Sequence, residues 1–173
     1  MASVVFLRAV NVGSANRCRP AAIAKELSKF GVVNIGAVGT FVVRKKVSQS
    51  ALRAAFARQL PFKCEIMICA GEEITRLVSR NPFAGQVLDP AITRFVNVLA
   101  KPLSTSPPLP FCLPAEDDWL LKVIAIDGRF VLGIYRREMK AIAALGKLEK
   151  QLGIAATNRN WNTIEKIAGV LSR

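Results

Sequence analysis

The 173-residue sequence predicts an α+β fold made of two packed ferredoxin-like subdomains, each an alpha-beta plait with an antiparallel sheet. Three observations support this class. Apolar residues make up 51% of the chain and charged residues 21%, which is typical of a globular protein. Residues 1–71 follow the order strand, helix, strand, strand, helix, strand, which is the order of a split βαβ plait. Residues 72–173 contain enough further strands and helices for a second plait-like subdomain.

The elements of the first subdomain are bounded by residues that start or stop regular structure. Pro20 begins the first helix and Gly31 ends it. Ser48 or Ser50 caps the second helix, which stops before Pro61. The predicted strands are SVVFLRAVNV (residues 3–12), the two halves of VVNIGAVGTFVVR (32–44) around a glycine-bearing turn, and KCEIMICA (63–70).

The second subdomain is less regular, and no flexible linker separates it from the first. Residues 101–114 hold five of the nine prolines and predict an extended loop. Asp127 and Gly128, between two apolar runs, predict a hairpin with a type I′ turn. Ile142 is expected on the apolar side of a helix over Met139–Leu152. The other predicted elements are a helix at EEITRLVSR (72–80), a strand at ITRFVNVLA (92–100) and a last helix that follows TNRNWNT (157–163).

The charge of the chain is large and unevenly distributed. The formal net charge is +13, from 25 Lys or Arg and 12 Asp or Glu. Residues 1–62 hold ten basic residues and a single acid, Glu26, which gives +9. Such a distribution indicates a polyanionic partner or an anionic ligand, with a solubilising surface as the alternative.

The residue types that are missing exclude several kinds of chemistry. With no histidine, the chain cannot form a Ser/His/Asp or Cys/His constellation. The four cysteines form no CxxC pair and are read as small buried thiols in a reducing compartment, so we assign no metal and no cofactor. The N-terminal apolar run is too short for a signal peptide or a membrane span, and we expect a cytoplasmic protein without a membrane partner.

The first candidate site is the segment RAVNVGSANR, residues 8–17. Arg8, Asn11 and Gly13 predict an anion cradle, because glycine-bearing turns and guanidinium groups bind phosphate. The spacing matches neither a P-loop nor a dinucleotide fingerprint. The alternative is a strand-to-helix loop that needs Gly13 only for its backbone angles.

The second candidate site is the start of the last helix. Trp161 is expected in the core, and Asn160 or Asn162 is expected to cap the helix. The remaining polar groups would bind an anion at the positive end of the helix dipole, with capping alone as the alternative. The ligand-binding residues predicted in this segment are Thr157, Arg159, Asn160, Asn162 and Thr163.

Three further features were weighed for nucleic-acid or metal binding. A group of five basic residues in the N-terminal subdomain, named at the end of this paragraph, is predicted to contact nucleic-acid phosphates. The alternative is a solvated basic surface. Phe6 and Phe41 occupy strands that carry base-stacking aromatics in RNA-recognition modules, but the accompanying motif is mostly missing, which favours a core role. The run Glu116 to Asp118 predicts an exposed tip rather than a metal site. The predicted nucleic-acid-binding residues are Arg44, Lys45, Lys46, Arg53 and Arg58.

The two ends of the chain resemble the bacterial domain-of-unknown-function family 1697. Members open with a segment of the type LLRGINVGG and close with TxRNWNT; here these read FLRAVNVGS (residues 6–14) and TNRNWNT (157–163). The NPF at residues 81–83 is also similar. The resemblance implies two ferredoxin-like subdomains and no particular reaction. This sequence departs from the family where SGNVVF reads VGTFVV and where Gly-Gly reads Gly13-Ser14.

Together these features favour a binder of an anionic ligand, nucleic acid first and a phosphorylated small molecule second. The alternative is an enzyme that acts on a nucleotide-like or phosphorylated small molecule, and the sequence does not decide between them. A homodimer is also open, because plait sheets often pair through their edges or faces.

Overall fold

A computed structural model describes residues 1–87, 89–115 and 117–173. The described residues form two antiparallel sheets and five α-helices, which confirms the predicted α+β class. The strands are β1 (Ser3–Leu7), β2 (Val32–Asn34), β3 (Thr40–Val43), β4 (Ile66–Ala70), β5 (Ile92–Leu99), β6 (Phe111–Leu113), β7 (Leu121–Asp127), β8 (Phe130–Arg136) and β9 (Ala156–Asn160). The helices are α1 (Pro20–Glu26), α2 (Gln49–Arg58), α3 (Gly71–Ser79), α4 (Met139–Leu152) and α5 (Trp161–Leu171), with a 3₁₀ turn at Ser28–Phe30.

The chain divides into two compact units. The N-terminal unit comprises Met1–Ser79 and Asn162–Arg173, and the central unit comprises Arg80–Trp161. The division predicted from the sequence, 1–71 and 72–173, differs in assigning α3 and α5 to the second subdomain. The close approach of α5 to the start of α3 explains their grouping, because a Cβ added at Gly71 would lie 2.8 Å from Leu171 Cδ2.

The N-terminal unit contains a ferredoxin-like sheet with the strand order β2-β3-β1-β4, in which every neighbouring pair is antiparallel. Helices α1 and α2 both pack on one face of this sheet. Phe41 of β3 and Phe56 of α2 form the centre of that core, with ring centroids 5.0 Å apart. Ser48 is the helix cap, since its Oγ accepts a hydrogen bond from the N–H of Ala51 at 3.2 Å.

The two phenylalanines considered for base stacking are part of the protein interior. Phe6 and Phe41 are each 0% exposed. They also point to opposite faces of the sheet, because β1 pairs Val5, not Phe6, with Phe41. The core role that the sequence favoured for Phe6 and Phe41 is therefore confirmed, and neither ring is exposed for base stacking.

The central unit has a five-stranded sheet in the order β6-β7-β8-β5-β9. Strands β5, β7, β8 and β9 have the positions of the four plait strands, and α4 is the crossover helix between β8 and β9. The proline-rich segment replaces the other crossover helix. It was predicted as loop throughout, but residues 111–113 form the edge strand β6, and an edge is where proline-rich segments are tolerated. Strand β9 was not predicted, because ATNRN lacks the apolar alternation of a strand.

The β7–β8 hairpin exists as predicted, but its turn lies one residue later. Asp127 pairs with Phe130, so the two loop residues are Gly128 and Arg129. Gly128 has φ +60° and Arg129 has no positive φ, which indicates a type II′ turn rather than type I′. The Arg129 guanidinium donates through Nε to the Leu99 carbonyl at 3.1 Å, which holds the turn against the end of β5.

Helix α4 has the predicted bounds, but its buried stripe differs from the predicted one. Ala141, Ala144 and Leu148 face the core, whereas Ile142 is 68% exposed. Two alanines along the stripe allow the helix to lie close to the sheet, and Ile142 lies about 100° around the helix from Ala141. No helix among the described residues is long and apolar enough to cross a membrane.

Candidate anion-binding site

The loop between β1 and α1, residues 8–19, has an unusual backbone. Ala9, Asn11 and Gly13 have φ values of +54°, +55° and +64°, and the intervening Val10 and Val12 do not have positive φ. Backbone nests, in which successive N–H groups point into one concavity, also place left-handed residues at alternate positions. Two of the predicted ligand-binding residues, Asn11 and Gly13, therefore have the left-handed backbone that a nest uses at alternate positions.

Asn11 holds this loop in place. Its Nδ2 donates to the Ala37 carbonyl at 2.8 Å, and its Oδ1 accepts from the backbone N–H of Cys18 at 2.9 Å. Its own backbone N–H donates to the Asn16 carbonyl at 3.1 Å. Asparagine tolerates positive φ better than other non-glycine residues, which explains its use here. Asn11 therefore connects both sides of the loop to the β2–β3 turn.

The tip of the loop offers free backbone donors. Within the described part of the chain, the N–H groups of Val12, Gly13 and Ser14 have no hydrogen-bond partner. All three residues are exposed, Val12 by 66%. The same loop contributes Asn11, Arg17, Cys18 and Arg19 to the wall of a cavity of about 510 Å³, which Ala37 also lines. One loop thus carries both free backbone donors, at residues 12–14, and two arginines that line a cavity.

Arg8 lies at the base of the same loop. Its N–H donates to the Glu65 carbonyl at 3.0 Å, and its carbonyl accepts from the Cys64 thiol at 3.2 Å. These bonds tie the end of β1 to the start of β4. The Arg8 side chain is half-buried, and its role in binding an anion stays a prediction.

Cys18, in the wall of the cavity, is a free thiol. Burial raises the pKa of Cys18, and the nearby Cys64 thiol raises it further. The Cys18 thiol therefore stays protonated at neutral pH, where a nucleophilic cysteine would need to be a thiolate. The cavity thus has donors for an anion but no activated cysteine.

The residues predicted to contact nucleic acid fall into two groups. Arg44, Lys45 and Lys46 are exposed and follow β3. The N–H of Lys45 donates to the Phe30 carbonyl at 3.2 Å, and Lys29 Nζ lies 4.9 Å from the centre of the Phe30 ring. Together Lys29, Arg44, Lys45 and Lys46 form what we call the basic tip.

The other two predicted residues lie on α2, away from the basic tip. The Arg53 guanidinium donates to the Ile66 carbonyl. Ile66 pairs with Leu7, whereas Val43, which precedes the basic tip, pairs with Ser3. Arg53 therefore reaches the opposite end of the sheet. Arg58 is exposed in the last turn of α2.

Two side chains of the closing motif, Thr157 and Arg159, are committed to local structure. Arg159 is 5% exposed, and its Nη1 donates to Thr157 Oγ1 at 2.7 Å and to the Asn158 carbonyl at 2.8 Å. Trp161 is 2% exposed and packs against Phe83 with ring centroids 5.0 Å apart, which confirms its predicted core position.

The asparagines of the motif stand at the boundary between β9 and α5. Asn160 is exposed and directly precedes the helix, and Asn162 is exposed within its first turn. Thr163 is half-buried. Asn162 and Thr163 belong to the N-terminal unit and the preceding residues to the central unit, and anion binding by this group stays a prediction.

The acidic run at residues 116–118, predicted as an exposed tip, is described only in part. Asp117 and Asp118 are exposed, and Glu116 lies outside the described residues. Among the described residues, no three His, Cys, Asp or Glu side chains are grouped to hold a metal ion.

Sequence reasoning missed Trp119, which lines two cavities of the central unit. A tryptophan just before a strand and among charged residues was the available signal.

The two units define an α+β protein with a formal net charge of +13 and a ferredoxin-like N-terminal sheet. A family model described as "Protein of unknown function (DUF1697)" matches residues 1–109, which include the opening motif and NPF. The chain belongs to this family, as the resemblance implied. The closing motif lies outside the matched residues.

One solved structure shares the fold. The conserved bacterial protein SP0830 from Streptococcus pneumoniae is 17% identical, with 99% of this chain and 98% of that chain covered and a TM-score of 0.64. At this identity the likeness shows the fold alone. A search of curated proteins found no match.

Proposed function

We propose that the protein binds the phosphate groups of nucleic acid through its N-terminal unit, with the β1–α1 loop as the main contact. The observation that carries this proposal is the loop tip. Among the described residues, the N–H groups of Val12, Gly13 and Ser14 are unpartnered, and Arg17 and Arg19 of the same loop line a cavity. Backbone donors and guanidinium groups at one concavity are the usual means of holding a phosphate.

The charge of the unit supports the same ligand. The N-terminal unit holds fourteen Lys or Arg and five Asp or Glu, a net charge of +9, whereas the central unit has +4. An excess of this size raises the local concentration of polyanions and accelerates their association.

The separation of the basic groups favours a polymer over a small molecule. The β1–α1 loop follows Leu7, and the basic tip follows Val43, which pairs with Ser3 at the other end of β1. The four residue steps of β1 span about 13 Å. A single phosphate cannot contact both ends of the sheet, whereas successive phosphates along a nucleic-acid strand can.

A second candidate is binding or turnover of a phosphorylated small molecule in the loop cavity. Its volume of about 510 Å³ lies within the range of small-ligand sites, about 300–1,000 Å³. The raised pKa of Cys18 and the absence of histidine leave this cavity without an evident base or nucleophile, which makes the enzyme the weaker candidate.

The salt dependence of binding tests the proposal. Anisotropy of a labelled short duplex should show binding that weakens as salt rises, by about 0.9 log units per log unit of salt for each phosphate contacted. Contacts from the loop and the basic tip together predict a slope of about −3 or steeper. Absence of binding at low salt, or binding indifferent to salt, would sink the proposal. Competition by inorganic phosphate or a mononucleotide at low concentration would favour the small-molecule candidate.

A further inference from the structure

Trp119 differs sharply from the other tryptophan of the chain. Trp161 is 2% exposed in the core, whereas Trp119 is half-buried just before β7. Trp119 lines two cavities, of about 390 Å³ and about 420 Å³. Both cavities are also lined by Arg136 and Glu138, so these three residues form a wall common to two adjacent spaces of small-ligand size.

Two cations approach the indole from the sheet. Arg136 Cζ lies 4.6 Å and Lys122 Nζ 5.0 Å from the centre of the Trp119 ring. Lys122 pairs with Ile134, two residues from Arg136, so both side chains rise from the same face of the β7–β8 pair. These contacts hold the ring in place over the sheet. Trp119 also contributes to the walls of both cavities.

The cavity walls combine groups that suit the two ends of a nucleotide. Asp89 and Glu138 in one cavity, and Asp118 with Glu138 in the other, can accept hydrogen bonds from the amino groups of a base. Arg137 lines the first cavity and Lys140 the second, and both can bind a phosphate. Arg137 is held by a hydrogen bond from its Nε to Thr93 Oγ1 at 3.0 Å.

From these observations we propose that the central unit binds one unpaired nucleobase together with its phosphate. The base stacks on Trp119, its amino groups face Glu138 and the neighbouring aspartates, and the phosphate contacts Arg137 or Lys140. Stacking on an indole accepts any base, because every base has a π-face. This inference extends the proposed nucleic-acid function from phosphate contacts to a preference for unpaired strands.

Intrinsic fluorescence of the full chain tests the site, since only two tryptophans emit. Titration with a mononucleotide and with a single-stranded oligonucleotide should quench the wild-type signal. In Trp119→Phe, which retains Trp161, the tryptophan emission should fall only by the amount that light absorption by the added base explains. Trp119→Ala should weaken binding of the single strand by about 5- to 150-fold. Ile142→Ala, on α4 of the same unit and 68% exposed, is the matched control and should leave binding unchanged.

The outcomes separate this site from the proposed function. No quenching by either ligand in a wild-type protein that still binds duplex DNA would overturn the Trp119 site alone. Quenching by both ligands in a protein without salt-dependent duplex binding would support the site and contradict the proposed function. Quenching by the mononucleotide but not by the oligonucleotide assigns the site to free nucleotides and overturns the preference for unpaired strands. Equal quenching by inorganic phosphate contradicts stacking.

Discussion

Replacement of both Arg17 and Arg19 by glutamate is expected to lower the affinity for duplex DNA by roughly 100-fold at moderate salt. A hydrogen bond to a charged group contributes about 1.5–3 kcal/mol, and two lost phosphate contacts therefore remove about 3 kcal/mol or more. The salt slope should also fall by about 1.8 log units, because each duplex phosphate contact contributes about 0.9. Anisotropy titrations at several salt concentrations measure both quantities.

The fold should tolerate this double exchange. Arg17 and Arg19 are exposed, and among the described residues neither side chain has a hydrogen bond or an ion pair. Lys147→Glu with Lys150→Glu, on exposed positions of α4, changes the net charge equally in the other unit and is the matched control. Equal losses of affinity in the two double variants would mean that overall charge, and not the loop, determines binding.

Among replacements of glycine by alanine in this chain, Gly133→Ala is expected to lower the free energy of unfolding the most. A Cβ at this position would lie 2.3 Å from the Lys122 carbonyl oxygen and 2.7 Å from Phe95 Cε1. The carbonyl lies beside a bulge of β7, between Val123 and Ala125, and Phe95 is fully buried, so neither group can move freely. The free energy of unfolding should fall by about 3 kcal/mol or more.

Chemical denaturation of Gly133→Ala and of Gly146→Ala checks this expectation. Gly146 is exposed within α4, and an added Cβ would meet no atom within 4 Å. Alanine at a helical position is favoured over glycine by about 1 kcal/mol, so Gly146→Ala should be neutral or stabilising. Equal unfolding midpoints for Gly133→Ala and the parent protein would refute the tight packing at the β7–β8 pair.

Much of the fold was predictable because local signals agree with tertiary packing. Pro20 and Ser48 mark helix starts where the sequence predicted, and the βαββαβ order gave the correct N-terminal sheet. The predicted end of the first helix at Gly31 is wrong, because α1 ends at Glu26 and Gly31 instead ends the 3₁₀ turn that follows. Strand β9 escaped prediction because its polar side chains are buried through hydrogen bonds rather than apolar contacts. Arg159 and Thr157 show this directly, since each is about 5% exposed and they bond to each other.

The candidate site was predictable only in part. Asn11 and Gly13 are residue types that tolerate positive φ, and they pointed to the β1–α1 loop. Ala9, however, gives no such signal, although its φ of +54° begins the alternation that shapes the loop. The cations of α2 could not be assigned either, because only the sheet register shows that Arg53 points away from the basic tip.

Amide NMR spectra of the full chain during titration with duplex DNA test the central claim most directly. The account predicts that the backbone N–H signals of Val12, Gly13 and Ser14 shift progressively, since these groups would donate hydrogen bonds to phosphate. The same signals should remain unshifted in the Arg17→Glu, Arg19→Glu protein at equal DNA concentration. Binding of DNA with these three signals unmoved in the parent protein would contradict the assignment of the β1–α1 loop as the phosphate site.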